Sequence, residues 1–290
     1  MSPATLGVIG GSGLYRMEGL ADVDEIEVST AFGNPSDRIV QARLGQVRFL
    51  FLPRHGREHH LPPHRINYRA NILALKQLGA QQIVSVSAVG SLDEQLRPGE
   101  LVLVDQFLDR TTKRANTFFE DHGVVVHVGL ADPIDPALAD AITESAERVG
   151  VHVHRGGTYV CIEGPQFSTR AESHLYRAWG AAVVGMTNLP EARLAREAQL
   201  PYASMAWVTD YDCWHQTEAP VSVEAVLAVL QANARNSQRI LSELTSRLPD
   251  PAKSPASKAL EDAVLTDLAG LPPATLADLG PLLARPKGNA

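Results

Sequence analysis

Short runs of branched and other apolar residues, at 6–9, 47–52, 83–89, 101–104, 182–184 and 202–208, read as strands. The stretches between them change to the three-to-four-residue spacing of amphipathic helices, predicted at 64–78, 136–149, 170–179, 190–197 and 222–248. In the last of these, Val223, Val226, Leu227 and Leu230 fall at i, i+3, i+4 and i+7, an apolar stripe that core packing alone would explain. Strands alternating with helices predict an α/β chain, a three-layer α/β/α sandwich around a central mixed β-sheet. After Leu248 the run PDPAKSPASK breaks helices and reads as an exposed linker, followed by an amphipathic stretch at 259–268 and a proline-rich end. The expected division is a main domain over 1–248 and a Pro/Ala-rich linker and tail over 249–290. The tail is either disordered or docked on its own or a neighbouring subunit.

With 290 residues, 44% of them hydrophobic, the chain can bury one large core. A net charge of −7 excludes non-specific binding to nucleic acid, which needs a surface that displaces counterions from the phosphate backbone. Cys161 and Cys213 show no pairing pattern, no secretory leader pattern opens the chain, and no apolar window is long enough for a bilayer. The expectation is a reduced, cytoplasmic protein without a membrane role.

Candidate chemistry clusters at strand ends. Gly10, Gly11, Ser12 and Gly13 follow the first strand, where bare backbone N–H groups and the Ser12 hydroxyl could meet an anion, although a simple tight turn has the same composition. A dinucleotide-binding loop is the other reading, but Arg16 stands where the third glycine belongs. Arg54 and His55 end the run RFLFLP, where a guanidinium could grip phosphate oxygens as a fork and a histidine could add a donor. His59, His60 and His64 lie close by; two intervening prolines, no nearby cysteine and Glu58 as the sole local carboxylate argue against a metal. Ser87 and Thr187 bring hydroxyls at other strand ends.

Asp210 and Asp212 end the strand SMAWVTDYDC and would face the same side if that strand continued. Paired carboxylates raise one another's pKa, and burial favours the neutral form, so one of them could donate a proton. A surface turn capping the next helix is the alternative. Phe167 could stack on a flat base or belong to the core, and Met186 alone would be called core.

Five segments occur in a fixed order: VIGGSGLY from Val8, PRHGREH from Pro53, TYVCIEGPQFSTRAE from Thr158, then MTNLPEARLA and WVTDYDCWH. In this order they resemble the methylthioadenosine phosphorylases, a branch of the nucleoside phosphorylases, from the first strand to about Leu248. The resemblance implies a nucleoside phosphorylase-like fold and phosphorolysis of S-methyl-5′-thioadenosine to adenine and 5-methylthioribose 1-phosphate, a step of purine and methionine salvage. It implies phosphate held among Ser12, Arg54, His55, Ser87, Ala88 and Thr187, with serines at 12 and 87 where threonine is common in the family. Phe167 would stack on the base, Met186 would lie under the sugar, and Val223, Val226 and Leu227 would receive the methylthio group, with His127 supplied across a subunit boundary. Asp210 and Asp212 would be the catalytic pair. Relatives that prefer 6-oxopurines carry glutamate at the place of Ser168 and asparagine at that of Asp210, so the present pair implies adenine. No cofactor or metal is implied, phosphate being a co-substrate, and the assembly would be a homotrimer or a dimer of trimers. Competing expectations are a broader purine nucleoside phosphorylase accepting adenosine or methylthioinosine, and a nucleosidase that uses water.

Overall fold

The computed structural model describes residues 3–11, 13–215 and 223–283, with backbone alone for 223–228. Ser12 and the side chains of Val223, Val226 and Leu227 therefore lie outside the described residues.

Branched residues on both faces of β1 (Ala4–Gly10), β4 (Val47–Pro53), β5 (Gln82–Ser91) and β11 (Tyr202–Asp210) make them buried central strands, as expected of strands covered on two sides. They run parallel in the order β4-β1-β5-β11. Between them in sequence come β2 (Ala21–Ile26), β3 (Ile39–Leu44), β6 (Leu101–Leu103), β7 (Gln106–Arg110), β8 (Val153–Arg155), β9 (Thr158–Ile162) and β10 (Ala181–Gly185), completing an eleven-stranded mixed sheet among the described residues.

Helices α1 (Tyr68–Gln77), α2 (Pro136–Arg148), α3 (Arg170–Ala178), α4 (Asn188–Glu197), α5 (Val223–Leu244) and α6 (Pro273–Leu283) cover this sheet. Alternation along β11 shows that both faces are covered: Tyr202 and Ser204 bond to α4 through Asn188, whereas Trp207 donates its indole N–H to Ser237 of α5. The α/β class is the one read from the hydrophobic pattern, as are β1, β4, β5, β6, β10 and β11 and helices α1 to α5; β2, β3, β7, β8, β9 and α6 were not read.

Details differ. α1 starts at Tyr68 rather than 64, because Pro62 and Pro63 direct the chain into a short 3₁₀ turn and Asn67 then caps the helix by accepting the Ala70 N–H. The helix expected over 222–248 ends at Leu244. The stretch read as an exposed linker is packed: Pro251, Ser254, Ala256 and Ser257 are buried, and Ser254 Oγ donates to Asp135 Oδ2 at 2.5 Å. Asp250 and Ser254 cap the 3₁₀ turns that the prolines start. Further on, Leu279 and Leu282 of α6 are wholly buried, and Gln199 donates to the Leu282 carbonyl at 3.0 Å. Among the described residues no helix is long and apolar enough to cross a membrane.

Candidate functional site

Parallel β1, β4, β5 and β11 bring their carboxyl ends to one edge of the sheet, the edge at which such sheets bind ligands. β11 pairs with one side of β5 over 83–90, β1 takes the other side only over 82–85, and β10 joins only at Gly90 and Ser91. The β5 edge at 86–89 is thus left between two neighbours that pair elsewhere. Ser87 and Ala88 lie on it; Ala88 is exposed, and among the described residues the buried Ser87 Oγ has no hydrogen-bond partner.

The glycine loop sits beside this opening. Gly10 pairs with Pro53, and the Arg54 N–H donates to the Gly10 carbonyl at 2.9 Å. A Cβ on Gly10 would meet Leu14 at 2.5 Å and the Val86 carbonyl at 3.3 Å, whereas one on Gly11 would meet nothing within 4 Å. A side chain at Gly10 would force Leu14 aside and crowd Val86, and among the described residues the loop is open at Gly11.

Arg54 does not offer the fork expected of it. Its Nη2 donates to Glu191 Oε2 at 3.1 Å and to Ser85 Oγ at 2.6 Å, its Nε reaches Glu191 Oε1, and its Nη1 donates to the Val86 carbonyl at 3.0 Å. Glu191 also accepts from Ser85 at 2.8 Å and Tyr202 at 3.1 Å. Burial disfavours the Arg54 charge, but Glu191 outweighs it and the guanidinium stays firmly protonated. Among the described residues one N–H of Nη1 has no acceptor. Glu191 was missed in the sequence, although it falls inside the buried stripe of α4 with Asn188, Ala192 and Ala195, where an unpaired carboxylate would be costly.

His55 is also constrained. Its Nδ1 lies 2.8 Å from the Leu61 carbonyl, an acceptor only, so Nδ1 carries the proton. Burial, with Arg54 adding to it, pushes the pKa down to about 4. At neutral pH the ring is therefore uncharged and Nε2 accepts hydrogen bonds, where the sequence reading expected a donor. His59 stacks on it at 4.6 Å, and among the described residues no group of three His, Cys, Asp or Glu is arranged to hold a metal.

Thr187 is the N-cap residue of α4, and the Asn188 and Glu191 side chains reach Ser204 and Ser85 on the face of the sheet that also carries Ser87. A helix N-terminus and the Ser87 hydroxyl thus adjoin the same opening, a combination suited to an anion.

At the next strand end β11 stops at Asp210. Asp212 lies instead in a 3₁₀ turn with φ of 45°, so the two carboxylates do not alternate along one strand. The Asp212 N–H and Thr209 Oγ1 donate to Asp210 at 2.9 and 2.8 Å. Burial raises the Asp212 pKa; Ser173 and the Cys213 amide lower it in part, and Asp210 adds to the rise. Gly90 makes room for the pair, since a Cβ there would stand 3.2 Å from Asp210 Oδ1.

Phe167 is 84% exposed, which removes it from the core. Its loop is tied to the Asp212 turn: Cys213 Sγ donates to the Ser168 carbonyl at 3.2 Å and Arg170 Nε to the Cys213 carbonyl at 3.3 Å. The same loop leans on Met186, whose Sδ would lie 2.5 Å from a Cβ on Gly164. Phe167, Ser168, Asp210, Asp212 and Met186 thus belong to connected segments. His127 does not join them: it is exposed, and its N–H donates to Ala263 where Val126 bridges Val264 of the tail. A cavity of about 660 Å³ lies elsewhere, between β6, the start of α2 and Pro255.

The model of the phosphorylase superfamily matches residues 5–246, and the chain belongs to that superfamily. It is 51% identical over 286 residues to an S-methyl-5′-thioadenosine phosphorylase of Thermosynechococcus vestitus, covering 97% of this chain and 99% of that protein. A protein of the same name from Geobacter sulfurreducens is 52% identical, with coverage of 93% and 94%. Among solved structures, a methylthioadenosine phosphorylase from an Antarctic soil metagenomic library superposes with a TM-score of 0.92 at 46% identity, covering 98% of this chain and all of that one. The methylthioadenosine phosphorylase of Schistosoma mansoni in complex with adenine gives 0.79 at 38% identity, covering 84% and 91%.

Proposed function

We propose that this chain is a pentosyltransferase that cleaves S-methyl-5′-thioadenosine with phosphate, giving adenine and 5-methylthioribose 1-phosphate. The observation that carries this reading is the identity of about half of all positions, over nearly the whole length, with proteins of that activity. The nucleoside salvage class follows with it.

Phosphate enters at the β5 opening, held by the Ser87 hydroxyl, the Ala88 amide, Thr187 with the start of α4, the glycine loop with Ser12, and the last Nη1 hydrogen of Arg54. His55 accepts a hydrogen bond from the phosphate or a sugar hydroxyl through Nε2. A phosphate oxygen attacks the anomeric carbon as the bond to the base breaks, and that bond's electron pair passes into the purine. Asp210 supplies or stabilises the proton gained by the imidazole half of the base, and half-buried Asp212, whose pKa burial raises, stands beside it. The anion beside the developing cation and the fixed donors around it supply most of the acceleration. Phe167 stacks on the adenine, Ser168 and Asp210 select its amine, Met186 lies under the ribose, and Val223, Val226 and Leu227 receive the methylthio end, with His127 supplied to it by a neighbouring copy of the chain. The reaction needs no cofactor, and the enzyme works as a cytoplasmic homotrimer or dimer of trimers.

The test is turnover of methylthioadenosine, adenosine and methylthioinosine, each with and without phosphate. Strictly phosphate-dependent turnover that is fastest with methylthioadenosine is expected. Hydrolysis without phosphate overturns the phosphorylase reading, and equal turnover of methylthioinosine overturns the adenine selectivity assigned to Ser168 and Asp210.

A further inference from the structure

Arg114 comes from a loop without hydrophobic periodicity, yet its side chain is 2% exposed. All five guanidinium hydrogens have acceptors. Nε donates to Glu163 Oε1 at 3.0 Å, Nη2 to the carbonyls of Ile162 at 3.2 Å and Glu163 at 2.6 Å, and Nη1 to Tyr68 Oη at 3.1 Å and to the Met186 carbonyl. The loop then closes over the same carboxylate: the N–H groups of Thr112 and Lys113 donate to Glu163 Oε2 at 2.6 and 3.1 Å.

These acceptors lie on two segments that are far apart in sequence. Ile162 and Glu163 lead directly into the loop with Phe167 and Ser168, and Met186 opens the segment with Thr187. Gly164 packs against the Met186 side chain at the same junction. Resting on the function proposed above, we infer that Arg114 is a positioning residue for the nucleoside: its guanidinium clasps the base-side loop to the sugar-side segment and fixes the distance between the two halves of the nucleoside site.

A base and a sugar joined by one bond must meet both halves at once, so a change in their spacing weakens nucleoside binding. Phosphate keeps its contacts to β5 and the glycine loop, neither of which Arg114 touches, and only its contact to Thr187 is exposed to the change, so it is affected less. Lysine cannot replace Arg114, because one ammonium has three donors on a point and cannot span five acceptors in a plane.

The experiment compares wild type with Arg114→Met and Arg114→Lys by steady-state kinetics, varying methylthioadenosine and phosphate separately, and by amide hydrogen exchange. For both variants the KM for methylthioadenosine should rise about tenfold or more while that for phosphate stays within about twofold. Free guanidinium should restore part of kcat/KM to Arg114→Met. Amides of 163, 164, 166–168 and 185–187 should exchange together about tenfold faster, with those of α2 unchanged. Equal shifts in both KM values, or wild-type behaviour of Arg114→Lys, overturn the clasp. If wild type itself shows no phosphorolysis, the function reading fails, and exchange alone then judges the clasp: unchanged protection of the two segments overturns it.

Discussion

Arg54 and Glu191 hold one another between sheet and helix, with Nη2 3.1 Å from Oε2 and side chains only 4% and 0% exposed. Each charge is tolerable there only because the other matches it. Removing one partner from such a pair costs about 3–5 kcal/mol, whereas replacing both with apolar residues costs far less. Glu191→Leu and Arg54→Met should therefore each lower stability strongly, and the double variant should be more stable than their sum requires. Denaturant titration checks the coupling, and additive losses would contradict it. The folded double variant should still show a raised KM for phosphate, since the remaining Nη1 donor is gone.

Gly90 faces Asp210 at a distance that admits no methyl group without movement, 3.2 Å to Oδ1 and 3.3 Å to Asp212 Cβ. Gly90→Ala should shift the carboxylates by a few tenths of an ångström and lower kcat by roughly tenfold with little change in the KM for phosphate. Asp210→Asn should do the same more severely, by about a hundredfold or more. Steady-state kinetics with phosphate varied decides the matter; a Gly90→Ala enzyme with wild-type kcat would show that the Asp210 position is not critical.

His55 makes stability depend on pH. Its folded pKa of about 4 lies below the ordinary value of 6.5, so on acidification the unfolded chain takes up this proton first. The contribution is complete above 6.5 and is lost progressively as pH falls from 6.5 towards 4. Melting temperatures of wild type and His55→Gln, measured at pH 7.5 and pH 5, should show a smaller acid-induced drop in the variant. Equal drops would mean that His55 titrates alike in both states.

The sequence by itself determined the central strands and helices α1 to α5, because apolar runs such as FLFLP and the stripe of α2 can be buried only that way. It also carried the ordered motifs that reveal the superfamily. β2 escaped notice because it is exposed along almost its whole length and has no apolar face to declare it. The packed tail escaped because proline-rich composition describes local stiffness, and whether Leu279 and Leu282 find a surface to bury depends on α1 and Gln199, far away in the chain.

The chemistry divides in the same way. Sequence marked Arg54, His55, Ser87 and Asp210 as groups at strand ends. Only the tertiary structure decided that the Arg54 fork faces Glu191, that His55 is an acceptor, that Asp212 leaves the strand, and that Arg114 joins two distant segments. Hydrogen-bond direction, burial and charge pairing arise between residues brought together by folding, 137 positions apart for Arg54 and Glu191, and no local pattern records them.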